Sequence, residues 1–209
     1  MLKLKRNPTM KDYQLYVGEL VEERGFSDET VPEIFILFVE EIGEMIRSIL
    51  KGTNERAAIS EEIPHEISDS FTYLLDIANH SSIDVEQAFR QQFEHQTLEM
   101  KEKPTLLDYQ KCLSRLTEVP GYVYQSMMEL VCLFLRQVGN LASAIRKEYG
   151  IKVDLSIAQK ELSSEIAKSL AYILFLANHF SIDAEQAFRR KEEINKQRTW
   201  ERANPKRCD

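Results

Sequence analysis

The chain has 209 residues, 43% of them hydrophobic, with only 7 Gly and 6 Pro. That is enough apolar material for one substantial core or two small ones, and too few turn-forming residues for an all-β fold. No run of 18 apolar residues occurs, the opening MLKLKRNPTM has no apolar signal core, and the formal net charge is −7; the expectation is a soluble, cytoplasmic protein with no membrane span and no general nucleic-acid binding, in which a metal ion could still reverse the local sign for a small polyanion.

The predicted elements are helices. The first starts at Thr9, where Thr9 and Asp12 form a Thr-x-x-Asp capping pair that satisfies otherwise orphan amides. The second runs from about Pro32 to Leu50, with Ile34, Leu37, Phe38, Ile42, Met45 and Ile49 at helical spacing, and stops at Gly52. The third covers about Glu61 to His80, with Pro64 in its first turn, where proline is tolerated. The fourth begins after Asp84 in Ser-x-Asp-x-x-Gln and continues past Phe89.

The series then repeats. Pro8 to Gln14 returns as Pro104 to Gln110, so that Asp12 matches Asp108 at an offset of 96. LDIANHSSIDVEQAFR, starting at Leu75, returns as LFLANHFSIDAEQAFR, starting at Leu174, at an offset of 99. Four more helices are predicted, starting at Thr105, at about Tyr122 (to Glu148, with a stop at Gly150), at Ser156 (to His179) and after Asp183. Similarity in register over two separated blocks marks an internal duplication, residues 1–102 and 103–209. Short amphipathic helices need to pack as a bundle, so the expected fold class is all-α.

The chemistry lies in the acids. Glu41 and Glu44 share one face of the second helix, with Glu40 at spacing four from Glu44, and Glu66 and Asp69 form a like pair on the third. If the two helices pack antiparallel, four carboxylates converge, and a hard divalent cation such as Mg²⁺ would relieve their repulsion while keeping positions open for water and phosphate. Acidic runs are commonly solvated helix faces, but here Phe35 to Val39 precede the acids and a ladder of Lys partners is missing.

Glu41-Ile-Gly-Glu44 followed by Glu66-Ile-Ser-Asp69 on consecutive helices resembles the ExxE…ExxD signature of the MazG-like all-α NTP pyrophosphohydrolases, well over about residues 30 to 95 and more weakly in the second half. The resemblance implies two tandem four-helix MazG-like repeats packed as a pseudo-dimer, with Mg²⁺ (Mn²⁺ as a substitute) held by Glu41, Glu44, Glu66 and Asp69. It implies cleavage of an NTP or dNTP to the monophosphate and pyrophosphate, with Glu40 orienting or deprotonating the attacking water. The second half does not keep the acids: Arg136, Gln137, Asn140 and Lys168 stand where Glu40, Glu41, Glu44 and Asp69 do, and Glu66 alone is kept, as Glu165. Arg136 and Lys168 are expected to neutralise Glu165 and close that site. Its fourth helix instead carries Lys191, Asn195 and Arg198, which resemble the family's phosphate-binding K-x-x-x-N-x-x-R stretch; the first half has Gln92, Gln96 and Glu99 there.

One composite site follows as an expectation, with metal from the first repeat and cations from the second. Trp200 either stacks on a base or seals a bundle end. A catalytically weak nucleotide-binding or regulatory protein is the alternative, and a homodimer of tandem chains is the expected further partner. There is no P-loop, His65-Glu66 lacks the second His of a zinc protease, and no Glu-x-x-His pair supports a ferritin-like di-metal site. His80 and His179 read as capping or packing groups, and Tyr13 and Tyr109 as core or interface. Cys112 and Cys132 read as buried thiols, Cys208 as a free one, and residues 203–209 as a disordered tail.

Overall fold

A computed structural model of the chain describes residues 3–52, 56–116, 124, 126–152, 154, 156 and 160–201, and of residues 52 and 56–61 the backbone alone. The fold is all-α, with nine helices and no strand among the described residues. They are α1 (Met10–Arg24), α2 (Val31–Gly52), α3 (Arg56–His80), α4 (Val85–Gln92), α5 (Glu94–Thr97), α6 (Leu106–Ser114), α7 (Met127–Glu148), α8 (Leu162–His179) and α9 (Ala184–Asn195).

The capping chemistry acts as the sequence predicts. Asp12 N–H donates to Thr9 Oγ1 at 3.3 Å while Thr9 N–H donates to Asp12 Oδ2 at 3.0 Å, and Thr105 N–H donates to Asp108 Oδ2 at 2.9 Å. Asp84 and Asp183 cap α4 and α9 with nearly identical backbone angles, each preceded by a serine of left-handed φ, Ser82 at 55° and Ser181 at 56°. Gly25, at φ 78°, ends α1 and turns the chain into the segment 26–30 that walls the site below.

Several boundaries differ from the sequence reading. α3 starts at Arg56, so Pro64 lies inside the helix, where it forgoes one backbone hydrogen bond. α7 starts at Met127, because Ser126 Oγ accepts from Glu129 N–H at 3.1 Å and caps it there. α8 starts at Leu162, after the expected Ser156, whose amide and hydroxyl instead bond to Asp154. α4 does continue past Phe89, to Gln92, and a separate turn, α5, follows. The expectations for Tyr122, Cys208 and 203–209 fall outside the described residues.

The packing is built on a central pair, α3 against α8. α1 and α2 cover α3, and α6 and α7 cover α8. The last helix of each series crosses over: α4 lies on α8 and α9 on α3. Aromatic contacts follow the crossing, with Tyr13 edge-on to Phe71 and Phe188, and Tyr109 edge-on to Phe89. Both tyrosines are fully buried, as core residues. One buried apolar cluster runs through both halves, so residue 102 divides the sequence pattern but not the core.

The entry segments pair in a single antiparallel bridge between Thr9 and Thr105. Gln14 and Gln110 make matching bonds: Gln110 Nε2 donates to Asn178 Oδ1 and the Ile182 carbonyl, both at 2.9 Å, as Gln14 Nε2 does to Asn79 and Ile83. α7 alone among the described helices has a length and mean hydropathy (1.3) that would suit a membrane span; its Leu130, Phe134, Val138 and Leu141 are buried in the bundle. Cys112 is buried as expected, but Cys132 is exposed, because it lies on the outer stripe of α7 with Met128 and Leu135.

Candidate metal centre and ligand cavity

Where α2 crosses α3, one carboxylate oxygen each from Glu41, Glu66 and Asp69 lies within 4.8 Å of the others, and no other such acidic group occurs among the described residues. Spacing of three places Glu66 and Asp69 on one face of α3, and Glu41 meets them because Phe38, Ile42 and Met45 seat α2 in the core. Burial raises all three carboxyls. Glu41 is pushed up to about 8, with the charges of Asp69 and Glu66 adding to the desolvation. Glu66 and Asp69 also rise, against the pull of Lys191.

Two expected residues stand apart. Glu44 turns outward, 45% exposed, and pairs with Arg47 at 2.8 Å, the cation one turn on having drawn it away. Glu40 is exposed and is not part of the cavity lining.

α9 brings the second half into this site. Lys191 is buried and its Nζ forms an ion pair with Asp69 Oδ2. Asn195, one turn on, is buried, with an Oδ1 that has no hydrogen-bond partner. Arg198 lies past the end of α9, its amide bonded to the Asn195 carbonyl at 3.1 Å, and its charge acts on Asp69. Trp200 Nε1 reaches the Asn195 carbonyl at 3.4 Å, and the Arg24 guanidinium sits 4.7 Å over the Trp200 ring.

Beside the carboxylates opens a cavity of about 850 Å³, walled by the end of α1, segment 26–30, α2, α3 and the end of α9. Glu41, Asp69, Tyr73, Asp76, Asn195, Arg198 and Trp200 all line it. A second hollow, of about 680 Å³, lies between α1 and α4, away from the carboxylates.

The corresponding place in the second half is closed. Gln137 Nε2 donates to Glu165 Oε2 at 2.8 Å and Lys168 Nζ reaches Glu165 Oε1 at 2.9 Å, with Glu165 buried. Lys168 thus neutralises Glu165 as expected. Arg136 does not take part; it is exposed, and Gln137 supplies the second contact.

Some residues escaped the sequence reading. Tyr73 and Asp76 follow Asp69 at spacings of four and seven, and Asp76 was marked only by its difference from Phe175 within the repeated block. Glu192 looks like a solvated charge in sequence, yet it is buried, accepts from the Tyr16 hydroxyl at 3.0 Å and lies 3.6 Å from Arg24, fixing α9 to α1.

Comparison with models of protein families, with curated proteins and with solved structures found no match.

Proposed function

We propose that this chain is a Mg²⁺-dependent nucleoside triphosphate pyrophosphohydrolase of the MazG-like kind, in which two diverged four-helix repeats pack as a pseudo-dimer around one composite site. The observation that carries the reading is the reach of Lys191, on the second half's last helix, to Asp69 in the first half's acid cluster, beside a nucleotide-sized cavity.

The residues fit a hard cation. Every donor in the triad is a carboxylate oxygen, and Glu66 Oε2 is buried without a hydrogen-bond partner. Glu41, Glu66 and Asp69 would hold the ion. Bound there, Mg²⁺, or Mn²⁺ in its place, would offset the carboxylate charge and polarise phosphate oxygens as a Lewis acid.

Lys191 and Arg198 bind and orient the triphosphate and stabilise charge on the departing pyrophosphate. In the reaction, a water oxygen bonds to phosphorus, the anhydride P–O bond to the leaving group breaks, and pyrophosphate departs with the electron pair. The water protons pass to solvent or to a carboxylate; that role for Glu40 is supported by sequence position alone. Arg24 and Glu192 position Trp200 and α9, so that Trp200 walls the nucleoside end. Exposed apolar residues, Ile36 and Val39 on α2 and Met128 and Leu135 on α7, with Val39 and Leu135 at equivalent places, support a second copy of the chain as a partner, which a sedimentation mass would check.

Release of pyrophosphate from a dNTP panel with Mg²⁺ tests the activity. Glu41→Gln and Lys191→Ala should each lower kcat/KM by about a hundredfold or more, the scale of one lost group that stabilises transition-state charge. Full activity in Lys191→Ala would defeat the composite site. The Lys191–Asp69 pair also supports a second reading, a nucleotide-binding protein without turnover, because an ammonium already neutralises one carboxylate. A thermal shift with Mg²⁺ and a non-hydrolysable triphosphate, but no pyrophosphate release, would select it.

A further inference from the structure

Asp76 is one of the cavity carboxylates that the proposed chemistry leaves unused, and the one on the same helix face as Asp69. It follows Asp69 by seven residues, about 10 Å along the same face of α3, and enters the same cavity. That separation is on the scale of a nucleoside. The Asp76 side chain is 4% exposed, and its Oδ1 has a single polar neighbour, His80 Nδ1 at 3.0 Å. The same nitrogen lies 3.1 Å from the Asp76 carbonyl, while Nε2 faces the Ser27 carbonyl at 3.4 Å. The imidazole thus takes one side of Asp76, and the carboxylate keeps lone pairs that can accept in the cavity wall. Glu29, on that segment, crowds the same end, its carboxyl raised by burial and by the charge of Asp76. In the closed half the equivalent residue is Phe175, buried in the core.

A buried carboxylate with acceptor capacity beyond one imidazole contact, at the far end of a phosphate site, suits a donor on the ligand. We propose that Asp76 is a specificity-determining residue that reads the nucleobase, accepting a hydrogen bond from an exocyclic amino group, so that the site takes cytosine, adenine or guanine nucleotides and rejects uracil and thymine. Uracil and thymine carry no amino group, and their ring N–H is flanked by carbonyl oxygens that a carboxylate repels. The inference rests on the triphosphatase reading of this same cavity. Discrimination comes from the unfavourable contact as much as from the favourable one.

The test pairs turnover with binding. Hydrolysis of dCTP, dATP, dGTP, dUTP and dTTP with Mg²⁺ is measured beside equilibrium binding of their α,β-imido analogues, for the native chain and for Asp76→Asn. At least one amino-bearing nucleotide should exceed dUTP and dTTP by about tenfold or more, the scale of one base-edge contact. Asp76→Asn, whose amide can also donate, should narrow or invert that ratio. Equal use of dUTP or dTTP, or an unchanged ratio in Asp76→Asn, overturns the inference and leaves the hydrolase reading standing. If nothing is hydrolysed but amino-bearing analogues bind selectively through Asp76, base recognition stands and the hydrolase reading falls. Neither hydrolysis nor binding overturns both.

Discussion

At the scale of single residues, the site is defined by charge that folding brings together and burial leaves uncompensated. Folding lifts the Glu41 carboxyl from 4.5 to about 8, so the folded chain favours its neutral form. That preference contributes stability in full below about pH 4.5 and is lost as the pH rises through about 8. Glu66 and Asp69 shift in the same direction, and Lys191 offsets only part of it. The metal-free protein should therefore lose melting temperature as the pH is raised from 5 to 8.5. Added Mg²⁺ should restore it most at the alkaline end, because the cation binds deprotonated carboxylates. Glu41→Gln should flatten both effects. Thermal melts across that pH range, with chelator and with Mg²⁺, check this; a metal-free melting temperature that rises with pH would contradict it. The convergence of three of the four acids was legible because helical spacing puts Glu66 with Asp69 on α3 and the apolar stripe of α2 turns Glu41 toward them. Glu44 shares the spacing but pairs with Arg47 outside the triad, a contest between two side chains that no spacing rule decides.

At the scale of elements, helix starts with a capping side chain were read to the residue at Thr9, Thr105, Asp84 and Asp183, but not at Ser126, which caps α7 beyond the start expected near Tyr122. The start of α8 at Leu162, whose cap residue Glu161 makes no side-chain capping bond, was not read. The placement of α4 and α9 depends on the two glutamines of α1 and α6. Gln110 is buried, accepts from the Ala184 N–H at 3.2 Å, and receives the Asn178 amide on its carbonyl at 2.9 Å. Gln110→Ala would leave the start of α9 and the Asn178 side chain with buried, unpaired groups, at a cost of about 2–3 kcal/mol. Urea unfolding should show that loss with little change in slope. Because α9 carries Lys191, nucleotide turnover should fall as well, although Gln110 does not line the cavity. A stability loss under about 0.5 kcal/mol would mean that capping by Asp183 alone holds α9.

At the scale of the whole molecule, the similar blocks were legible in the sequence but the crossing of α4 onto α8 and α9 onto α3 was not. Identity between LDIANHSSIDVEQAFR and LFLANHFSIDAEQAFR says that two segments fold alike; it carries no information on which neighbour each covers. The crossing explains why the halves could diverge in opposite directions. α9 lies on α3, so the acids of one half and the cations of the other are maintained at one place. α4 lies on α8, where Gln92 accepts from Ser164 at 2.6 Å and phosphate-binding charge is absent. It also removes independence from the halves, since residues 1–102 alone would expose the face of α3 that Phe188 and Lys191 cover and would leave Phe89 without Tyr109. Expressed alone, residues 1–102 should therefore self-associate or fail to give a cooperative melt. Co-expressed with residues 103–209, they should recover a 1:1 complex with the melting transition and nucleotide binding of the intact chain. A stable, cooperative monomer of 1–102 would show that the crossing of α4 and α9 is dispensable, and would locate the Mg²⁺ response within the first half alone.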